Sequence, residues 1–192
     1  MDKKILKEII NADLYRYYGE NSFKTFLKAF FKMQGFKYTY FLRKSHFYKE
    51  HNKKIRYYFF YFCMRRYTYK YGFEIPPACK IGKGFYIGHF GRVRFDPNVE
   101  IGCNVNIGPG VTIGPTYRGK NKGVPKIGNI VWIGTDAFIA GKIQIGNNVL
   151  IAPGAYVNFN VPDNAVVIGN PGKIVSYSGT DSYVCRRIEC NQ

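Results

Sequence analysis

The apolar positions of this chain follow two different periods. Over residues 3–33 they fall at helical spacing, Ile5, Ile9 and Ile10 and then Phe23, Phe26, Leu27, Phe30 and Phe31, with Lys and Glu between them. The spacing predicts helices, and Asn21 or Ser22 is the natural cap of the second, since a short polar side chain can accept from the first free N–H groups. Residues 53–72, KKIRYYFFYFCMRRYTYKYG, are a third helical candidate, aromatic on several sides. From Ile75 the period becomes six: Ile75, Ile81, Ile87 and Val93, then after a step of eight Ile101, Ile107 and Ile113, and after a longer break Ile127, Ile133, Ile139, Ile145, Ile151 and Val157. Glycine follows most of these anchors, as in IGKG, IGHF, IGCN, IGPG, IGTD and IGNN.

A hexapeptide repeat of this kind is the signature of a parallel β-helix. Each repeat makes a short strand with one inward aliphatic anchor, and Gly or Asn at the bend tolerates positive φ. Three repeats close one triangular coil, and coils stack at about 4.8 Å through backbone hydrogen bonds, so about five coils are expected from 75 to about 170. The fold class is mainly β: a β-helix at 73–175 with a protruding loop at 115–126, a helical segment at 1–72 and a tail at 176–192. The flat faces of such a solenoid need cover, and Trp132 and Phe138 are the positions that a neighbouring subunit would bury.

Composition changes this picture mainly at the N-terminus. The net charge is +17, and more than half of the Lys and Arg, and of the aromatic residues, fall within residues 1–70. That segment is either a cap on the first coil, which a solenoid requires, or a surface resting on an anionic bilayer; the two are compatible. Its aromatics carry no recognised nucleic-acid motif. Five cysteines without C-x-x-C spacing suggest neither a disulfide framework nor a zinc site. No signal-peptide pattern and no 18-residue apolar run is present. A cytoplasmic protein is expected, with a peripheral place at the inner face of the membrane left open.

The segments EIPPACKIGKGFYIGHFG, IGPGVTIGPTYRGKNKGVPKIG and VPDNAVVIGNPGKIV resemble the serine acetyltransferase branch of the hexapeptide acyltransferases, and more narrowly its shorter relatives of surface-polysaccharide gene clusters. The resemblance implies a left-handed β-helix, a homotrimer and acetyl-coenzyme A as donor, without a metal. Handedness comes from the resemblance alone, because the general crossover rule predicts a right-handed path.

It also implies that His89 removes the proton of the acceptor hydroxyl, oriented by an acid fifteen residues earlier, which here is Glu74 in place of Asp. A carboxylate on one imidazole nitrogen fixes the tautomer and leaves the other free to accept a proton. The bland reading of His89 is a solvated corner residue. Gly114, Thr135, Ala137 and Pro153 are the implied lining positions for coenzyme A. Arg118, Lys120 and Lys122 in the loop, and Lys173 in GNPGK, are candidate phosphate contacts, or simply solvated cations. Pro115 cannot donate an N–H to an oxyanion, which leaves Gly114 or Thr116. His46 and His51 lie in the helical third, too few and too far from His89 in sequence for a three-histidine zinc site.

The expected function is O-acetylation of a sugar or lipid-linked saccharide for surface polysaccharide. Serine acetylation for cysteine synthesis and a non-catalytic trimeric scaffold are the alternatives. Serine is disfavoured because a zwitterion needs charged partners, whereas the positions the resemblance marks for them hold Gly88, Gly123 and Val124. Gly88 is also expected to leave room beside His89 for a sugar ring.

Overall fold

A computed structural model describes residues 2–190. Four helices come first: α1 (Lys3–Tyr18), α2 (Phe23–Lys32), α3 (Gln34–Glu50) and α4 (Lys54–Tyr71). Ser22 caps α2, its hydroxyl accepting from the Thr25 N–H at 3.0 Å. The helix absent from the sequence reading is α3. Phe36, Tyr38, Phe41, Leu42 and Phe47 are buried in it, and so are Thr39, Arg43 and Ser45. A helix covered on most sides, with polar groups among its buried positions, has no single apolar stripe to detect.

The β-helix then winds as β1 (Phe73–Glu74), β2 (Lys80–Ile81) and β3 (Tyr86–Ile87), followed by β4 (Val93–Phe95), β5 (Glu100–Ile101) and β6 (Asn106–Ile107). The third coil is β7 (Thr112–Gly114), β8 (Lys126–Ile127) and β9 (Trp132–Ile133), and the fourth is β10 (Phe138–Ala140), β11 (Gln144–Ile145) and β12 (Leu150–Ile151). β13 (Tyr156–Val157) and β14 (Val166–Ile168) belong to the fifth, and β15 (Lys173–Ser176) folds back antiparallel on β14. Three sheets result. Face A stacks β1-β4-β7-β10-β13, face B stacks β2-β5-β8-β11, and face C stacks β3-β6-β9-β12-β14 with β15 at its end. The path is the left-handed parallel β-helix.

Two residues per repeat point inward, not one. Beside each anchor stands the residue two before it, as in Val105 with Ile107, Val131 with Ile133 and Val149 with Ile151, all buried. On this count Val93 is the lesser member of its pair and Phe95 is the anchor, since Phe73 pairs with Val93 and Phe95 with Ile113. The step of eight therefore lies between Ile87 and Phe95. The two extra residues sit in the corner that carries His89.

The helices close the open edge of the first coil with side chains. The Tyr38 hydroxyl donates to Ile75 O and accepts from the Ile75 N–H, both at 3.1 Å, and Tyr17 does the same at Ile87, at 3.0 and 3.2 Å. The Asp13 carboxylate accepts from the Phe85 N–H at 2.8 Å, Arg43 donates to Ile81 O and Gly82 O, and Arg16 donates to Gly84 O. Each leaves a buried backbone group paired that would otherwise cost about 1–3 kcal/mol.

The tail covers face C. Tyr183 packs on Trp132 with ring centroids 4.9 Å apart, Asn106 Nδ2 donates to Tyr183 O, and Asn104 pairs with both backbone groups of Ile188. Cys103 and Cys190 are joined as a disulfide, 87 residues apart, which corrects the expectation that the cysteines form none. Trp132 and Phe138 thus lie on different faces. Trp132 is covered by the chain's own tail, whereas Phe138 on face A stays 43% exposed beside Tyr156.

Candidate active site

The corners between face C and face A stack into one column. The Asp136 N–H donates to Pro109 O at 2.9 Å and the Gly154 N–H to Thr135 O at 2.8 Å. A Cβ on Gly108 would lie 2.7 Å from Thr135 N, and one on Gly134 2.6 Å from Pro153 N, so only glycine permits this approach. His89 is the lowest polar member of the column and is exposed. Pro109, Thr135 and Pro153 stand one, two and three coils above it, which puts Thr135 roughly 10 Å and Pro153 roughly 14 Å up the edge. Thr135 and Pro153 are exposed.

The His89 corner lies against the end of α4, where the Gly91 N–H donates to Tyr71 O and the Val93 N–H to Gly72 O, both at 2.9 Å. This sets the corner over the turn from α4 into β1, the strand that carries Glu74 at the foot of face A. The Glu74 carboxylate is paired with Arg94, its register partner on β4, at 3.4 Å. Among the described residues no hydrogen bond joins Glu74 to His89, and His89 has no side-chain hydrogen-bond partner. Arg94 is the partner that sequence reasoning missed. Its signal was there in the register, one coil above Glu74 at the same outward phase, once Phe95 is counted as the anchor.

Gly114 lies on the other edge of face A. No atom stands within 4 Å of where its Cβ would be, so an extended ligand can approach the backbone there. The Thr116 N–H is committed to Gly123 O at 3.0 Å, closing the loop into a hairpin, and Gly114 is buried in β7 and paired with Ala140 in the face A ladder, so both oxyanion candidates are engaged in backbone pairing. The hairpin is tied down towards the later coils: Asn121 Nδ2 donates to Asn158 O at 2.7 Å and Asn121 O accepts from the Lys142 N–H at 2.8 Å. Arg118 and Lys120 are exposed at its tip, and Lys173 is exposed on β15. Ala137 is corrected: it is the inward residue paired with Ile139, fully buried in the prism, so its side chain cannot line a surface site.

His46 and His51 are engaged away from His89, His46 with Pro77 O of the first coil and with Glu50, and His51 with Phe47 O. Among the described residues no group of three or more His, Cys, Asp or Glu is arranged to hold a metal ion.

Residues 125–158 match the family model described as bacterial transferase hexapeptide (six repeats). Over 91% of its length the chain superposes on 70% of the Neisseria gonorrhoeae serine acetyltransferase, solved in complex with serine, at 30% identity and a TM-score of 0.75. The chain belongs to the hexapeptide-repeat acyltransferase family. A second solved member, the Brucella abortus serine acetyltransferase in complex with coenzyme A, is 29% identical, covers 92% of this chain and 70% of that one, and has a TM-score of 0.77. The Staphylococcus aureus serine acetyltransferase is 41% identical over 108 residues, which are 56% of this chain and 51% of that protein. The chain spans about half the length of the curated relatives it matches.

These members of the family correct the expected acceptor. They are serine acetyltransferases, and the polysaccharide reading, with its exclusion of serine, is overturned by them. The room expected beside His89 is also filled. A Cβ on Gly88 would meet the Tyr86 ring at 3.2 Å, so the space is taken by a tyrosine and not kept open for a sugar.

Proposed function

We propose that this protein is an O-acetyltransferase of the serine acetyltransferase kind, moving acetyl from acetyl-coenzyme A to the hydroxyl of L-serine. The observation that carries the reading is the His89 corner. It is the one irregular step in a regular column, two residues wider than its neighbours, with an exposed imidazole at the foot of the edge that holds Thr135 and Pro153.

His89 accepts the proton of the serine hydroxyl as the oxygen attacks the thioester carbonyl, and Glu74 orients the ring. The negative charge on the tetrahedral oxygen is held by a backbone N–H at the site. Collapse breaks the carbon–sulfur bond, and the proton on His89 passes to the departing thiolate. The pantetheine arm is extended and follows the column past Thr135 and Pro153, with Lys173 of the same chain, and Arg118 and Lys120 on the loop of a neighbouring protomer, as contacts for its phosphates. The working unit is a trimer in contact through the later coils of face A, where Phe138 is exposed beside a half-buried Tyr156. The test is thiol release from acetyl-coenzyme A by the purified protein, its mass measured by light scattering, with O-acetylserine identified by mass spectrometry. Saturable formation is expected; hydrolysis without O-acetylserine would overturn the reading.

A second element of the reading concerns location. No helix among the described residues is long and apolar enough to cross a membrane. Ile55, Phe59 and Phe62 nevertheless line an exposed side of α4, and Phe23 and Phe31 an exposed side of α2, interleaved with Lys24, Lys28, Lys32 and Lys54. Aromatic and basic side chains mixed in this way suit an anionic bilayer surface. Flotation with vesicles containing phosphatidylserine is expected to carry the protein at low salt and release it at high salt. Equal flotation with neutral vesicles, or none, would assign these helices to the cap alone.

A further inference from the structure

Serine is a zwitterion, yet Gly88, Gly123 and Val124 offer no charge to it. The charges near His89 come from elsewhere in the fold. A groove of about 650 Å³ runs between α4 and the first coil, lined by Tyr61, Arg65, Tyr69 and Glu74 among others. The Arg65 guanidinium is held over the Tyr61 and Tyr69 rings, 5.9 and 5.4 Å from their centroids, and donates to the Tyr69 hydroxyl. Arg94 stands at the same end of face A, paired with Glu74, their side chains 66% and 61% exposed. An ion pair so open to water adds little to folding, so either partner can exchange it for a ligand at small cost.

We propose that Arg94 and Arg65 form the carboxylate subsite for the acceptor, and that occupying it assembles the catalytic pair. The inference rests on the transferase reading above. In the free chain Glu74 is held by Arg94 and His89 has no partner. An incoming carboxylate carries the charge that both guanidinium groups can accept, and it competes with Glu74 for Arg94. Glu74, released from Arg94, turns to the imbalance left at His89 and fixes the imidazole for proton transfer. A hydroxyl compound without an anionic group would bind weakly and leave Glu74 on Arg94.

The experiment compares L-serine with serinol, the same skeleton carrying a hydroxyl in place of the carboxylate. Binding to the full chain is measured by calorimetry and transfer by thiol release, for the wild type, Arg94→Ala and Arg65→Ala. The wild type should prefer serine over serinol by about tenfold or more in binding, the scale of one charge-assisted hydrogen bond. Each Arg variant should lose most of that ratio and raise KM for serine with KM for acetyl-coenzyme A unchanged. Arg94→Ala should also turn over serinol with a kcat at or above the wild type, because Glu74 is no longer held; a merely structural Arg94 would lower both.

A wild type that does not distinguish serine from serinol, or Arg variants that keep the preference, would overturn the subsite. Selective binding that the Arg variants lose, without any acetyl transfer, would uphold the carboxylate subsite and instead overturn the transferase reading.

Discussion

Exchanging His89 for alanine is expected to slow acetyl transfer to L-serine by about 10²- to 10⁴-fold, the usual loss when a general base is removed. The effect should fall on kcat, because the imidazole acts on the acceptor proton, and coenzyme A is expected to lie along the column above it. Affinity for coenzyme A, measured by calorimetry, should stay within about twofold on that account. The change should leave the fold intact: His89 is exposed and its corner is held by backbone bonds from Gly91 and Val93, not by its side chain. Glu74→Gln should cost less, since it removes orientation and not the base itself. Transfer at the wild-type rate by the His89 variant would remove this histidine from the chemistry.

The largest expected loss of stability is at Asp13. This carboxylate is fully buried, bonded to Arg43 Nε at 2.9 Å and Nη2 at 3.2 Å and to the Phe85 N–H at 2.8 Å. Burial pushes its carboxyl up from the usual range even with Arg43 beside it. The cost of burying the charge is therefore only partly returned by the pair, and what the pair secures is the seat of the helices on the first coil. Asp13→Ala leaves the buried Arg43 without its counter-charge and the Phe85 N–H without its acceptor, and should destabilise the protein by about 3–5 kcal/mol. Urea unfolding followed by circular dichroism measures it. Replacing Asp13 and Arg43 together by Leu and Met should recover part of the loss, because it removes both charges at once while still leaving the Phe85 N–H and the Ile81 and Gly82 carbonyls unpaired. Equal instability in the single and double variants would show that the ion pair is not the cause.

The sequence made the β-helix legible because its anchors repeat at fixed spacing and its bends need glycine or asparagine. It did not show the second inward residue of each repeat, because Ala137 or Val93 reads as an ordinary small apolar position until the coil is closed. Ala137 therefore reads as a surface position and Phe95 does not read as an anchor. The partners of His89 and Glu74 were less legible for a different reason. Glu74 and Arg94 meet only through register, and the irregular step had been placed one strand too late. The Cys103–Cys190 bond and the cover of Trp132 by Tyr183 depend on where the tail returns, which no local pattern encodes.

Both ends of the prism are closed in different ways. At the first coil Tyr17, Tyr38, Asp13, Arg43 and Arg16 occupy backbone groups that a further strand would need. At the other end β15 turns antiparallel onto β14, the Gly172 N–H donates to Tyr156 O and the Gly179 N–H to Asn164 O. Stacked strands with open edges grow into fibres by adding copies end to end. Here a second prism meets side chains at one end and a reversed strand at the other, so neither end offers a further coil the parallel edge on which the preceding coils stack, and continuous end-to-end growth of the prism is disfavoured.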